Sequence, residues 1–590
     1  MTPPIEPFVI LPVSKLPITT LCRTLFGVLA VLALSLSPYT SSQAGESSQN
    51  SDPSTPWWQQ IIVDQLPTPD TSVDQVIDLF VDAKLKRLEM TPAPEADRST
   101  LLRRVTLDLN SRLPTPAEAR EFLSVDSPGQ HFHFVDSRLN DPAFDRYLAH
   151  ELNWLLMDGQ STDFQKYLQR TIPEGKRWNE IFAEAVAGIA DEKEGEALHG
   201  VDHFLRTRSR DLDKMTNDVS VRFFGVNVSC AQCHDHPYVK DWSMETYYGM
   251  KTFFGRTFEN GGFVGERSYG KVSYKNQDNE EVTAKLRFLG GPELAVADEI
   301  TLNEEEKKAE KQLLDQLRKD KKAPPAADNS LRELLALQGL ESGSEGEGYL
   351  ARSLVNRLWH QYFGRGLVMP LDQMHGANTP SHPELLVWLA RDLVAHEFDI
   401  KRLVRGMVLS KAYRRSSRWE HTDTDVRRPH DKHFATAKVR PLNPRQYGVA
   451  LRFATQDPGR LQQLADQPSE SGELAKQLDS IENGGLGIAR WFERPGETFN
   501  VSVDEALLLT NSQDAQNQLL NSGLVTHLDS LESDEEKIRT AYRSTLIREP
   551  GEEELILLKD YLNERQDRPK EGVRQMVWAL ITCSESRFNF

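Results

Sequence analysis

At 590 residues the chain is too long for one ordinary core and suits roughly two to four domains. Hydrophobic residues make up 38% and charged residues 27%, the balance of a globular protein with polar insertions. A formal charge of −18 with no offsetting basic patch argues against nucleic acid and anionic membrane surfaces as partners.

In chain order, Lys15 and Arg23 precede an apolar run, Leu25 to Leu36. Its length matches the hydrophobic stretch of a signal peptide and is short for a membrane span. Small residues at Ser42 and Ala44 predict cleavage after Ala44. Residues 1–44 are therefore expected to be a signal peptide, with an extracytoplasmic product, periplasmic or secreted. No stable membrane insertion is expected unless this segment stays uncleaved. Residues 45–72, rich in Ser, Pro, Gln and Asp with Trp57 and Trp58 inside, predict a disordered linker.

From Val73 the pattern turns helical. Ile77, Phe80, Val81, Leu85 and Leu88 recur at three- and four-residue spacing and predict one apolar face. In "LPTPAEAREFL", Thr115 is placed to cap a helix, Pro116 to take its first turn, and Glu118 to reach back to the cap amide. "YLAHELNWLLMDG" predicts a helix ending at Gly159, and Met215, Val219 and Phe223 share a further face. Between Gly261 and Gly291 the texture changes. Two β-prone runs flank Asn276–Asn279, a hairpin and the one clear β element of the sequence. Residues 303–322 predict a solvated, highly charged helix. A second helical region starts at Tyr349, with Leu350, Leu354, Leu358 and Tyr362 on one stripe and Gly364 or Gly366 as its stop. Ser381-His-Pro-Glu384 reads as another capping signal, and Ile400, Leu403, Val404, Met407 and Val408 as another face. Three more helices are expected at 535–547, 551–563 and 571–582. The fold class is thus mainly α. Two helical modules, 73–255 and 345–590, are joined by a 256–344 insertion holding the hairpin and the charged helix.

Cleavage after Ala44 leaves three cysteines, and two of them lie in Cys230-Ala-Gln-Cys233-His234. Covalent haem attachment needs two thiols close enough to reach one macrocycle and an imidazole placed to ligate its iron, and Cys-x-x-Cys-His meets both needs. This gives haem c as the expected cofactor, with Cys230 and Cys233 bound to it and His234 as iron ligand. His236 opens a zinc alternative, since two thiols and two imidazoles fall within seven residues. A third reading is a Cys230–Cys233 bridge with no cofactor. Met244, Met250, His203 and Met374 have the chemistry of a sixth iron ligand, and none is assigned. Pro237 should stop any helix that begins at the motif.

At these residues the chain resembles a known pair of families. "CAQCHDHP" followed by "YYGMKTFF", with "EADRSTLLRRVTLDLNSRLPTPAEAREFL" upstream, is similar to the planctomycete cytochrome-C-like domain of unknown function. That family more usually has "TGLPPTP" where this chain has "NSRLPTP". "ARSLVNRLWHQYFGRGLV", "SHPELLVWLA", "FDIKRLVRGMVLSKAYRRSS" and "EALLLTNS" resemble its companion, a secreted planctomycete domain also of unknown function. The resemblance implies export, a two-module architecture and a cytochrome-like label. It implies no particular reaction.

Other chemistry has weaker footing. There is no Gly-x-Ser-x-Gly, no His-Glu-x-x-His and no phosphate-cradling glycine loop. Arg352, Asn356, Arg357, His360 and Arg365 cluster in sequence, Asp392 and Glu397 are one acidic pair among many, and His375, His382 and His396 fall among loops and caps. The expected function is an exported haem-c protein of electron transfer or haem-dependent oxidation, exchanging electrons with an exported redox partner. Two alternatives stay open: a non-catalytic secreted binding or scaffold protein with a Cys230–Cys233 bridge or metal clip, and an extracellular polysaccharide-acting enzyme.

Overall fold

The computed structural model describes residues 55–590 except 126, 189–199, 238, 240–241, 296–301, 342, 344, 420–426, 468–471 and 497–501. The signal-peptide expectation lies outside the described residues. The fold is mainly α, with three two-stranded antiparallel sheets among the described residues. No helix among them is long and apolar enough to cross a membrane.

The periodic faces become buried faces. In the helix Val73–Arg87, Val76, Ile77, Val81 and Leu85 are buried, while Leu88 lies past its end and is exposed. Met215, Val219 and Phe223 are buried in Leu212–Phe224, and Leu350, Leu354, Leu358 and Tyr362 are buried in Glu345–Phe363. Helix ends follow local chemistry. Thr115 accepts from the Glu118 amide while Glu118 accepts from the Thr115 amide, a reciprocal cap on Pro116–Ser124. Gly364, at φ 74°, takes the left-handed turn after Phe363. Helices at Asp534–Thr545, Glu552–Asn563 and Pro569–Thr582 complete the C-terminal region.

Three features differ from expectation. First, the hairpin around Asn276–Asn279 forms, Ser273–Lys275 pairing with Glu281–Thr283, but it is not alone. Thr257–Asn260 pairs with Phe263–Glu266 across Gly261 and Gly262, both at positive φ, and Arg440–Pro441 pairs with Phe588–Asn589. The charged helix Glu304–Lys319 buries no residue, as a solvated helix should. It touches the Thr257–Glu266 hairpin through Arg318 on Asn260, and the segment just after it through Tyr269 on Glu310. Second, the expected linker packs from Thr55 onward. Trp57 and Trp58 are buried, Trp57 Nε1 donates to the His375 carbonyl, and the Arg352 guanidinium lies 4.5 Å from the Trp58 ring. Two indoles bury enough apolar area to outweigh a polar composition. Third, Ser381 does not cap the helix Pro383–Ala395. Its cap position is His382, and no side chain bonds the first-turn amides.

The two helical stretches share one continuous cluster of buried side chains from Trp57 to Ile581. The helix Val73–Arg87 packs on Pro383–Ala395 and Ile400–Leu409, and Arg98–Asn110 reaches the C-terminal strand Phe588–Asn589. This arrangement carries the cysteine loop on a platform built from both halves of the chain.

Candidate functional site

The helix Leu212–Phe224 stops at Gly225, whose φ of 69° suits glycine. A side chain there would also meet Ser353 at about 3.0 Å. The next residues run beside the loop at 372–374. Val226 bridges Gln373, the Asn227 amide donates to the Asp372 carbonyl at 2.8 Å, and the Met374 amide donates to the Gly225 carbonyl at 2.9 Å. Asn227 then uses its side chain twice. Nδ2 donates to Asp372 at 2.9 Å, and Oδ1 accepts from the Ser229 amide and hydroxyl at 3.2 and 2.6 Å. This local bonding starts a single 3₁₀ turn, Ser229–Gln232, that carries Cys230.

Val228 and Ala231 anchor the turn in the core, and Cys230, Cys233 and His234 are exposed. A hydrogen bond of 3.2 Å from the Tyr248 hydroxyl to the Gln232 carbonyl holds the turn from outside, and Tyr248 stacks on Tyr274 at 4.0 Å. Burial, with Asp213 and Cys233 nearby, holds the Tyr248 phenol above its usual range. His234 Nδ1 lies 2.9 Å from the Asp235 carbonyl. A carbonyl can only accept, so Nδ1 carries the proton and Nε2 is the nitrogen left with a lone pair. Asp235 accepts in turn from the Met244 amide at 2.8 Å, tying the motif to the helix Met244–Thr252.

His236 plays a different part. Its amide donates to the Trp242 carbonyl at 2.8 Å, and its Nδ1 accepts from the Val239 amide at 3.1 Å. Its ring sits edge-on to Trp242, which also meets the His375 ring, at 5.3 and 4.8 Å between ring centres. It closes a loop. The four-ligand zinc clip is not assembled: among the described residues no three His, Cys, Asp or Glu side chains converge as a metal set. Sequence reasoning missed the role of His375, because its contact with Trp242 depends on a pairing between distant segments.

Of the residues with sixth-ligand chemistry, Met250 and Met374 are fully buried in the core. Met244 is buried at the start of its helix, and the His203 ring is bonded to Ser161. The arginine-rich cluster is largely structural. Asn356 bonds both ways to the Val368 backbone, and Arg357 donates to the Val221 carbonyl. Burial, with Lys438 and Arg440 nearby, lowers His360 to about 4. Asp392 is buried against Arg402 at 2.8 Å.

The two best-formed cavities of the described residues hold about 10 Å³ each, room for one water. One lies behind Arg103 and Tyr447, the other beside Arg104 and Tyr362, and neither reaches the cysteine turn. The donor set still fits haem c: two accessible thiols and an imidazole whose second nitrogen is already held by a carbonyl.

Comparison with known families bears on the same segment. The family model PSCyt2, described as a protein of unknown function (DUF1549), matches residues 76–259, and PSD1, a protein of unknown function (DUF1553), matches residues 344–471. The chain carries both domains of the planctomycete pair. The Cys230–His234 turn lies inside the cytochrome-C-like domain, and the 372–375 loop against it lies inside the companion. No curated protein and no solved structure matches the chain.

Proposed function

We propose that the chain carries haem c on Cys230 and Cys233, with His234 on the iron, and serves extracytoplasmic electron transfer or haem-dependent oxidation. One observation carries this reading. The 3₁₀ turn and the two residues after it present Cys230, Cys233 and His234 to solvent, and the Asp235 carbonyl fixes His234 in the tautomer that leaves Nε2 for a metal. Attachment adds each S–H across a vinyl group, so no atom is lost and no oxidant is consumed. When bound, the group supplies one-electron chemistry.

The chain's own residues hold and orient. Asn227 and Asp372 fix the start of the turn, Tyr248 fixes its end, and Asp235 sets the imidazole. The open surround favours exchange with a second exported redox protein, which needs close approach. Export is supported by the apolar run at 25–36 and the small residues at 42 and 44.

The test is expression of the mature chain with a periplasmic haem-maturation system, followed by a pyridine haemochrome spectrum after denaturation. Haem that stays with the chain, and is lost in Cys230→Ala and Cys233→Ala, is the expected result. A colourless product with both thiols oxidised would replace this reading with a structural Cys230–Cys233 bridge.

A further inference from the structure

A second site of different chemistry lies where the helix Val73–Arg87 crosses the start of the helix Pro383–Ala395 and the turn Asp431–His433. We propose that this junction binds a tetrahedral oxyanion, phosphate or sulfate, either free or as the end group of a larger molecule. It is independent of the haem reading.

Three observations meet there. The first is the bare helix start. The first-turn amides of Pro383–Ala395 carry the positive end of the helix dipole, and no side chain caps them. The second is a pair of orphaned imidazole nitrogens. His382 is 3% exposed, its Nδ1 lies 3.2 Å from the Ser381 hydroxyl, and its Nε2 is buried with no hydrogen-bond partner. His433 Nδ1 is likewise buried and unpartnered. A buried polar atom without a partner is costly. With the Ser381 hydroxyl donating to Nδ1, the His382 proton sits on Nε2, and an anion oxygen is the acceptor that it lacks.

The third is charge. Lys84 reaches across to the Ser381 carbonyl. Burial together with Arg87 and Lys432 lowers its pKa, and burial together with Lys84, Lys432 and His430 lowers that of His433. Against these cations stands Glu384, beside Lys84, while Asp431 is engaged 3.8 Å from Lys438. A concentration of positive groups on a chain of charge −18 is not a general property of its surface. Lys432 and Arg87 are exposed, so the cluster opens to solvent.

Calorimetric titration of the full mature chain with sodium phosphate tests the proposal. One saturable equivalent is expected, competed by sulfate. Affinity should fall about tenfold in Lys84→Gln and severalfold in Lys432→Gln, and stay unchanged in Arg120→Gln, a distant exposed arginine. Lys432 is on the surface, so its variant reads the site even if the Lys84 variant folds poorly. Titration with a sugar phosphate separates the two sources: tighter binding than inorganic phosphate assigns the group to a larger ligand, weaker binding to the free ion. No saturable heat up to about 20 mM phosphate, or equal losses in Arg120→Gln and Lys432→Gln, would overturn the site.

Discussion

Asp108 and Arg440, 332 residues apart in the chain, meet in a two-pronged ion pair of 2.6 and 3.0 Å. Tyr413 and Asn589 donate to the same carboxylate at 2.7 and 2.9 Å. Asp108 is only 2% exposed, so one buried carboxylate of the cytochrome-C-like domain gathers two residues of the companion domain, Tyr413 and Arg440, and one of the C-terminal strand, Asn589.

Removing one side of such a pair leaves a buried charge without compensation. Asp108→Ala should lower unfolding stability by about 3–5 kcal/mol in urea titration. An unchanged midpoint would show that the pair contributes nothing net.

Acid should destabilise the fold through its buried histidines. Burial is the first cause in each of four histidines: His131, His150 and His360 are lowered to about 4 and His382 to about 3, from an ordinary 6.5. Arg414, Arg445, Lys438 and Lys84 respectively push the same way. A folded pKa below the unfolded one makes the unfolded chain the better proton acceptor between the two values. Stability is therefore full above pH 6.5 and falls as pH drops toward 4, at up to about 1.4 kcal/mol per pH step for each histidine. Urea midpoints at pH 7.5, 6 and 5 check the slope, and a flat profile contradicts it.

The cap at Thr115 carries two loads of different size. Thr115→Ala loses one amide bond and should cost about 1 kcal/mol. Glu118→Gln also weakens the contacts with Arg112, at 2.7 Å, and with Arg138, and should cost more, about 2–4 kcal/mol. These arginines hold Glu118 far below the usual carboxylate range against the opposing effect of burial. Its share of stability is present above pH 4.5 and fades only in stronger acid. Thermal unfolding of the two variants at pH 7 should show that order.

Thiol accessibility separates the cysteines. In protein made without haem maturation and kept reduced, Cys230 and Cys233 are exposed and should react quickly with an aromatic disulfide reagent. Cys583 is half-buried, its Sγ faces the Leu580 carbonyl, and burial raises its pKa. It should react slowly until the chain unfolds. Three equal rates would place the cysteine turn or Cys583 in other surroundings.

Local chemistry was readable in the sequence, and distant pairing was not. Helical faces such as Met215-Val219-Phe223, the reciprocal cap at Thr115 and the Cys-x-x-Cys-His spacing all depend on residues a few positions apart. The Thr257–Glu266 hairpin left a signal too, in Asn260-Gly261-Gly262. Ser381 misled because its amide bonds the Leu367 carbonyl across the fold, leaving His382 at the cap position. Composition misled at Trp57 and Trp58, where burial against Arg352 and Tyr349 depends on a helix nearly three hundred positions away. The bond from Asn227 to Asp372, which supports the cysteine turn, spans 145 residues and has no local trace.

The shared core has an evolutionary corollary. The helix Val73–Arg87 puts Val76, Ile77, Val81 and Leu85 against helices of the companion domain. A descendant that inherited only one of the two would be born with a bare greasy flank. It would survive by recruiting some other surface to cover that flank, or not at all, so the two segments should travel through genomes as one heritable piece.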